Sequence, residues 1–233
     1  MTTILVLTGA GISAESGIPT FRTPTGAGPA LWAGHDVEDV ATPDGYRRDP
    51  ELVHAFYQAR RDQVAAATPN AAHTALTRLA EAAGDRLLVV TQNVDDLHER
   101  SGLPAENLIH MHGSLADGRC TACYELTPAG VYGATCTTCG IGTLRPNVVW
   151  FGEQPMGMPR IERATERADI FIAIGTSGEV YPAAGLVNIA TVAGAGTFEL
   201  NLGRTSEMFQ QAFIGPATET VPLLVDGLVA ALR

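Results

Sequence analysis

The chain has 233 residues, 45% of them apolar, which is enough for one sizeable hydrophobic core and a small appended module. Its formal net charge of −10, with 15 Lys+Arg, excludes a sequence-independent grip on nucleic acid, and no apolar run is long enough to span a bilayer. The same acidity either attracts lysine-rich partners at low salt or serves solubility alone.

Apolar, strand-like runs occur at Ile4–Leu7, Leu87–Thr91, Leu108–Met111, Val148–Trp150, Ile170–Gly175 and Phe198–Leu202. Most are continuous rather than alternating, as strands buried on both faces of a parallel sheet should be. Helical patterns fall between them at Pro50–Ala66, Ala71–Ala83, Arg160–Ala168, Ala183–Ala193 and Val221–Leu232, with Asn70 as a cap and Gly84 as a stop. Alternation of this kind predicts an α/β fold, a Rossmann-like doubly wound parallel sheet. Two segments interrupt it. Thr23 to Asp49 is rich in Gly, Pro and Asp, and Ala116 to Arg145 holds all four cysteines. The expected division is a sheet domain of residues 1–30, 85–115 and 146–233, a helical insertion of 31–84 and a cysteine-bearing ribbon of 116–145. Met1-Thr2-Thr3-Ile4 enters the first strand without a signal-peptide layout, so a cytoplasmic location is expected.

After the first strand comes Gly9-Ala10-Gly11-Ile12-Ser13-Ala14-Glu15, and the stretch continues to Phe21-Arg22. Gly9, Gly11 and Ala14 fit the dinucleotide pattern G-x-G-x-x-G/A, in which small residues let a pyrophosphate approach backbone N–H groups. Four strands end in polar residues: Thr91-Gln92-Asn93-Val94-Asp95, His110-Met111-His112-Gly113, Gly175-Thr176-Ser177 and Glu199-Leu200-Asn201-Leu202. In open α/β sheets, ligands bind beyond the carboxyl ends of the strands, so these ends should meet at one site. Any one of them alone also reads as a loop turn or cap. His110 and His112, two apart, should face the same side, and either is a candidate catalytic group. His73 and His98 sit in helical patterns and read as structural.

Cys120-x-x-Cys123 and Cys136-x-x-Cys139, with twelve residues between the pairs, read as a tetrahedral four-thiolate zinc site with no open position for catalysis. Disulfides and free thiols are the alternatives. A cytosolic compartment disfavours structural disulfides.

Taken in order, these motifs resemble the sirtuins, NAD-dependent protein-lysine deacylases. The resemblance rests on Gly9 through Arg22, Thr91 to Asp95, His112-Gly113, the cysteine pairs, Val148-Val149-Trp150-Phe151-Gly152-Glu153, Gly175-Thr176-Ser177 and Glu199-Leu200-Asn201. It implies NAD as co-substrate and one structural zinc ion. The cofactor would be held by Gly9, Ala10, Gly11, Ser13, Glu15, Phe21, Arg22, Gln92, Asn93, Asp95, Gly175, Thr176, Ser177, Asn201, Leu202, Gly203 and Ala217. It also implies attack of the acyl amide oxygen on the ribose carbon that bears nicotinamide. Asn93 and Asp95 would position nicotinamide and ribose, and His112 would act as general base on a ribose hydroxyl. The products would be free lysine, nicotinamide and O-acyl-ADP-ribose.

Within that family the chain is similar to the class III branch. Tyr57-Gln58-Ala59-Arg60 carries its Tyr-x-x-Arg, which in the family reads the carboxylate of succinyl- or malonyl-lysine. Ala41 matches the small residue that widens the acyl pocket, and Val148, Phe151 and Gly152 would meet the substrate backbone. Hydrogen bonds to charged groups are worth roughly 1.5–3 kcal/mol, so a carboxylate reader would favour succinyl over acetyl by about 10- to 100-fold. A predominant deacetylase and an ADP-ribosyl transferase are the rival activities. A dehydrogenase would need an acidic residue ending a second strand about 20 residues after the glycines, and that window holds Pro29-Ala30-Leu31-Trp32-Ala33. The expected partners are acyl-lysine proteins or peptides, with no nucleic acid and no membrane, and the expected state is a monomer. Thr20 stands where many sirtuins have Asp, and Thr23–Ala30 is longer than usual in the family.

Overall fold

The computed structural model describes residues 1–20, 31–32, 34–128, 131–178 and 180–232. The expected features at Phe21, Arg22 and Thr23–Ala30 lie outside them. In chain order the elements are β1 (Ile4–Thr8), α1 (Gly11–Ala14), β2 (Leu31–Trp32), β3 (His35–Asp36), α2 (Val37–Val40), α3 (Pro43–Arg48), α4 (Pro50–Ala66), α5 (Ala71–Ala83), β4 (Leu87–Thr91), α6 (Leu97–Arg100), β5 (Leu108–His110), β6 (Gly113–Cys120), β7 (Leu126–Pro128), β8 (Leu144–Val148), α7 (Met158–Arg167), β9 (Ile170–Ile174), α8 (Leu186–Val192), β10 (Gly196–Asn201), β11 (Gln211–Ile214) and α9 (Ala217–Ala231).

Six strands make one parallel sheet in the order β11-β10-β9-β1-β4-β5. The chain builds outward from β1 in one direction and then from β9 in the other, so the topological switch lies between β1 and β9. Side-chain alternation divides the sheet into two faces. Ile4, Val6, Leu87, Val89, Ile172 and Ile174 share a core with α5 and α9. Leu5, Leu7, Leu88, Val90, Phe171 and Ala173 share the other with α7 and α8. This two-sided burial explains why the strand sequences run apolar without alternation. In α5, Leu76 and Leu79 are fully buried, and each contributes roughly 1.5–3 kcal/mol by leaving water. Asn70 caps that helix and His73 completes the reciprocal cap.

A second, antiparallel sheet (β7-β6-β8) carries the cysteines. It packs on α2 and α4 through Val40, Val53, Phe56, Tyr57, Leu115, Val148 and Trp150. Three sequence expectations need correction. The strand expected at Val148–Trp150 is instead β8, Leu144–Val148, which pairs antiparallel with β6 outside the parallel sheet. Buried Arg145 and Asn147 and the N–H-less Pro146 hide it from a hydropathy reading, and Pro146 sits where the register to β6 shifts. The edge strand β11 lacks a continuous apolar run because its residues are only partly covered. Helix α5, assigned to the insertion 31–84, shares its core with the parallel sheet through Ala72, Leu76 and Leu79. No helix among the described residues is long and apolar enough to cross a membrane.

Candidate active site and metal centre

The ends of β1 and β9 meet through their glycines. The Gly9 N–H donates to Ile174 O at 2.9 Å and the Gly11 N–H to Gly175 O at 2.8 Å. A Cβ on Gly11 would lie 2.6 Å from Gly175 Cα, and Gly175 itself has φ +59°. Close packing of the two loops at the switch point therefore requires these glycines independently of any ligand.

Ser13 is the hub beneath this loop. Its Oγ donates to Asp95 Oδ2 at 3.0 Å and accepts from Asn93 Nδ2 at 3.1 Å, and all three residues are buried. Burial raises the Asp95 pKa, opposed by the Leu97 N–H and the Ser13 hydroxyl. Gln92 Nε2 donates to Thr176 Oγ1 at 3.0 Å, and Asn201 Nδ2 to Thr176 O at 2.8 Å. The ends of β1, β4, β9 and β10 are thus tied together where the polar strand ends were expected to converge. Ser177, Leu202 and Gly203 are exposed. Ala217 opens α9, and its neighbour Thr218 donates from N–H and Oγ1 to the Glu15 carboxylate at 3.0 and 2.6 Å. Glu15 therefore ties the glycine-loop helix α1 to α9.

His112 follows β5 on a turn. Its Nδ1 lies 3.1 Å from Gln92 O. A carbonyl only accepts, so Nδ1 carries the proton and the neutral ring keeps its lone pair on Nε2. Burial lowers the pKa, partly opposed by the bond to Gln92, so the ring is a neutral base at pH 7. Gly113 has φ +82°, and a Cβ there would lie 2.0 Å from Asn147 O. Only glycine lets the chain swing from His112 straight into β6, which accounts for the His-Gly pair. His110 makes a separate pair, with Glu99 Oε1 at 2.7 Å and Asn93 O at 3.2 Å.

His73 and His98 are fully buried, their rings 5.1 Å apart edge to face. Burial holds the His73 pKa down to about 4, and burial with the neighbouring charges of His73 and His110 holds His98 well below 6.5. The unfolded rings bind protons below about 6.5, where the folded ones do not, so stability falls as pH drops through that window. His73 alone should cost about 3 kcal/mol by pH 4. Urea midpoints measured from pH 7 down to about 4.5 should fall, and a flat series would show that these rings titrate normally in the folded state.

Tyr57 and Arg60 lie one turn apart on α4, and both are buried. Arg60 lines a narrow cavity of about 30 Å³ together with Ala10, Ser13, Asn93, Asp95, Gln63 and Leu115. The Tyr57 hydroxyl accepts from Trp150 Nε1 at 3.0 Å. Ala41 is buried beside it, and its carbonyl accepts from the Phe151 N–H at 2.9 Å. Phe151 is itself exposed, as is Gly152, while Val148 is buried at the end of β8. The N–H groups of Val149, Trp150 and Phe151 are all engaged within the chain. The sequence reading missed the brace behind this segment. Arg145 stacks 3.4 Å over the Trp150 ring and forks onto both Glu153 oxygens at 2.8 and 2.9 Å. The available signal was an Arg and a Glu eight residues apart, flanking a tryptophan.

The four cysteine Sγ atoms lie within 4.8 Å of one another, with Cys120–Cys139 at 3.7 Å and Cys123–Cys136 at 3.8 Å. Disulfides need about 2.05 Å. A tetrahedron of Zn–S bonds of ≈ 2.3 Å has edges of about 3.8 Å, which the two shortest of these separations match, so the four thiols are gathered as a zinc ion needs. The Cys123 and Ala122 N–H groups point at Cys120 Sγ and lower that thiol's pKa, whereas the neighbouring thiols raise that of Cys123.

Taken together, the switch-point cleft and the four-thiol knuckle define a dinucleotide-binding α/β protein with an appended zinc ribbon. The chain belongs to the Sir2 family, whose profile matches residues 9–182. It is 52% identical over 242 residues to the NAD-dependent protein deacylase of Escherichia coli K12, covering 99% of this chain and 83% of that protein. Identity to the NAD-dependent protein deacylase of Shewanella oneidensis is also 52%, covering 97% and 94%. A solved Sir2 homolog–NAD complex superposes with a TM-score of 0.87 at 40% identity, covering 99% of this chain and 91% of that one. A Sir2–p53 peptide–NAD+ complex superposes with a TM-score of 0.80 at 29% identity, covering 97% and 92%.

Proposed function

We infer that the chain is an NAD-dependent protein-lysine deacylase, and we propose that it prefers succinyl- and malonyl-lysine while retaining weaker deacetylase activity. The observation that carries the activity is the neutral His112 ring on the turn after β5, tied through Nδ1 to the carbonyl of Gln92, the residue before buried Asn93. NAD, when bound, supplies an electrophilic ribose carbon and nicotinamide as leaving group. Gly9, Ala10 and Gly11 would receive the pyrophosphate, and Gly175, Thr176, Ser177, Asn201, Leu202, Gly203 and Ala217 the adenosine side. Phe21 and Arg22 would complete the cover. Asn93 and Asp95, fixed by Ser13, orient nicotinamide and ribose. His112 Nε2, the ring nitrogen with a lone pair, would take the proton of a ribose hydroxyl. The closed four-thiol site leaves zinc a structural task.

Acyl choice would rest on Arg60, whose guanidinium reaches the same cavity as Ser13, Asn93 and Asp95. A fixed guanidinium fork matches a carboxylate. Ala41 leaves room beside it, and Tyr57 sits within reach of the same arginine. Exposed Phe151 and Gly152 and the neighbouring carbonyls would take the peptide as an added strand. A monomer in the cytoplasm, where thiols stay reduced, fits this reading.

The test compares succinyl-, malonyl- and acetyl-lysine peptides in wild type and Arg60→Met. The expected succinyl-over-acetyl ratio in kcat/KM falls by about 10- to 100-fold in the variant. An unchanged ratio would remove Arg60 from the acyl reader and favour a general deacetylase.

A further inference from the structure

His110, at the end of β5, is a largely covered titratable group for which the chemistry above gives no task. It closes β5, with its side chain only 16% exposed. Its Nε2 faces a Glu99 carboxylate oxygen and its Nδ1 faces the Asn93 carbonyl. Carboxylate and carbonyl oxygens both accept, so both ring nitrogens donate, and only the imidazolium does so. We propose that His110, held as an imidazolium by Glu99, is a positioning residue that fixes the peptide of Asn93 and thereby aims the Asn93 amide into the nicotinamide pocket. The proposal rests on the deacylase reading of Asn93.

Asn93 is gripped at three points. Its N–H donates to Thr91 Oγ1 at 3.0 Å, its side chain donates to Ser13, and its carbonyl accepts from His110. The preceding carbonyl, that of Gln92, is held by His112. Two imidazoles two residues apart thus hold successive carbonyls of one loop. One is neutral and keeps a free lone pair, and the other is a charged clamp with none. Loss of the second proton from His110 would leave one N–H for two acceptors. The titratable groups that face His110 are Glu99 and His98 on α6 and Asp95 on the loop before it. Burial pulls the His110 pKa down, but the hydrogen bond and charge of Glu99, together with the Asn93 carbonyl and the Asp95 charge, outweigh it and raise the net value. The clamp therefore holds at low pH and is lost as pH rises through that raised pKa. His112 must be neutral to act, so its titration gives the acid limb of the rate profile and His110 gives the alkaline limb.

The experiment measures kcat, and KM for NAD and acyl peptide, from about pH 5.5 to 9.5 in wild type, Glu99→Gln, Glu99→Asp and His110→Gln. The expected wild-type kcat profile is bell-shaped. Glu99→Gln should move the alkaline limb to lower pH and cut kcat above neutrality on the order of 10-fold, as expected when a charge-assisted hydrogen bond is lost. Glu99→Asp, which keeps a carboxylate, should restore part of the limb. His110→Gln, whose amide can still donate to Asn93 but has no proton to lose there, should flatten it. Peptide KM should move less than about twofold, because the clamp acts on the cofactor side. An active wild type whose alkaline limb is unmoved in both Glu99→Gln and His110→Gln overturns this role for His110 alone. A wild type without NAD-dependent deacylation at any pH overturns it together with the parent reading.

Discussion

Replacing His112 with alanine is expected to lower kcat by about 10²- to 10⁴-fold while NAD affinity stays within about threefold of wild type. The magnitude is that of removing a positioned general base. The selectivity follows from geometry. The His112 Nδ1 is committed to the Gln92 carbonyl, so Nε2 is the nitrogen left with a lone pair, and burial keeps it unprotonated at neutral pH. The glycine loop and the Thr176–Asn201 contacts that would hold the cofactor do not involve this ring. His112→Asn is the sharper control, because its amide can still donate to Gln92 but offers no basic nitrogen. Titration calorimetry with NAD and steady-state rates on an acyl peptide check the pair. A His112→Ala enzyme with near wild-type kcat would mean that the proton leaves by another route.

Removing zinc should have the second large effect. Structural zinc binding in small domains is worth on the order of 10–16 kcal/mol, much of it folding free energy. Here the metal would close the ends of β6 and β8, the strands that carry Leu115 and Val148 into the core around Tyr57. Loss of the ion should therefore loosen the wall of the acyl pocket as well as the ribbon. Tyr132 relays the same effect, being stacked on His54 of α4 with Arg61 over its ring. Elemental analysis should find about one zinc per chain. Cys136→Ser should lose the metal and lower Tm by at least about 10 °C, because even about 5 kcal/mol of lost zinc-linked stability shifts Tm that far at about 2–4 °C per kcal/mol for a chain of this size. A metal-free protein with unchanged Tm and unchanged near-UV dichroism would show that the thiols need no ion.

The parallel sheet was legible because two-sided burial leaves a plain mark, an unbroken apolar run ended by a polar turn. Helices α4 and α5 were legible to the residue because Pro50 and Asn70 mark their starts. What stayed hidden is long-range. β8 reads Leu-Arg-Pro-Asn-Val, yet all five residues are buried, because Arg145 finds Glu153 and the Trp150 ring. No local pattern announces a partner eight residues on. β11 is an edge strand, whose half-exposed residues need no apolar run. The site residues were visible as types at strand ends, whereas their connections were not. Ser13 as the hub for Asn93 and Asp95, Glu15 on the start of α9 and His110 on Glu99 all depend on which strand ends become neighbours. Tyr57 shows the limit of helical spacing. The i, i+3 rule put it on the face of Arg60, but it said nothing of the Trp150 indole that donates to its hydroxyl.

The most direct measurement follows all products when purified protein meets NAD and a succinyl-lysine peptide, by liquid chromatography with mass detection. Equal amounts of unmodified peptide, nicotinamide and O-succinyl-ADP-ribose should accumulate together. Reduced NAD with an unaltered peptide, or nicotinamide release with the acyl group still on lysine, would contradict the assignment.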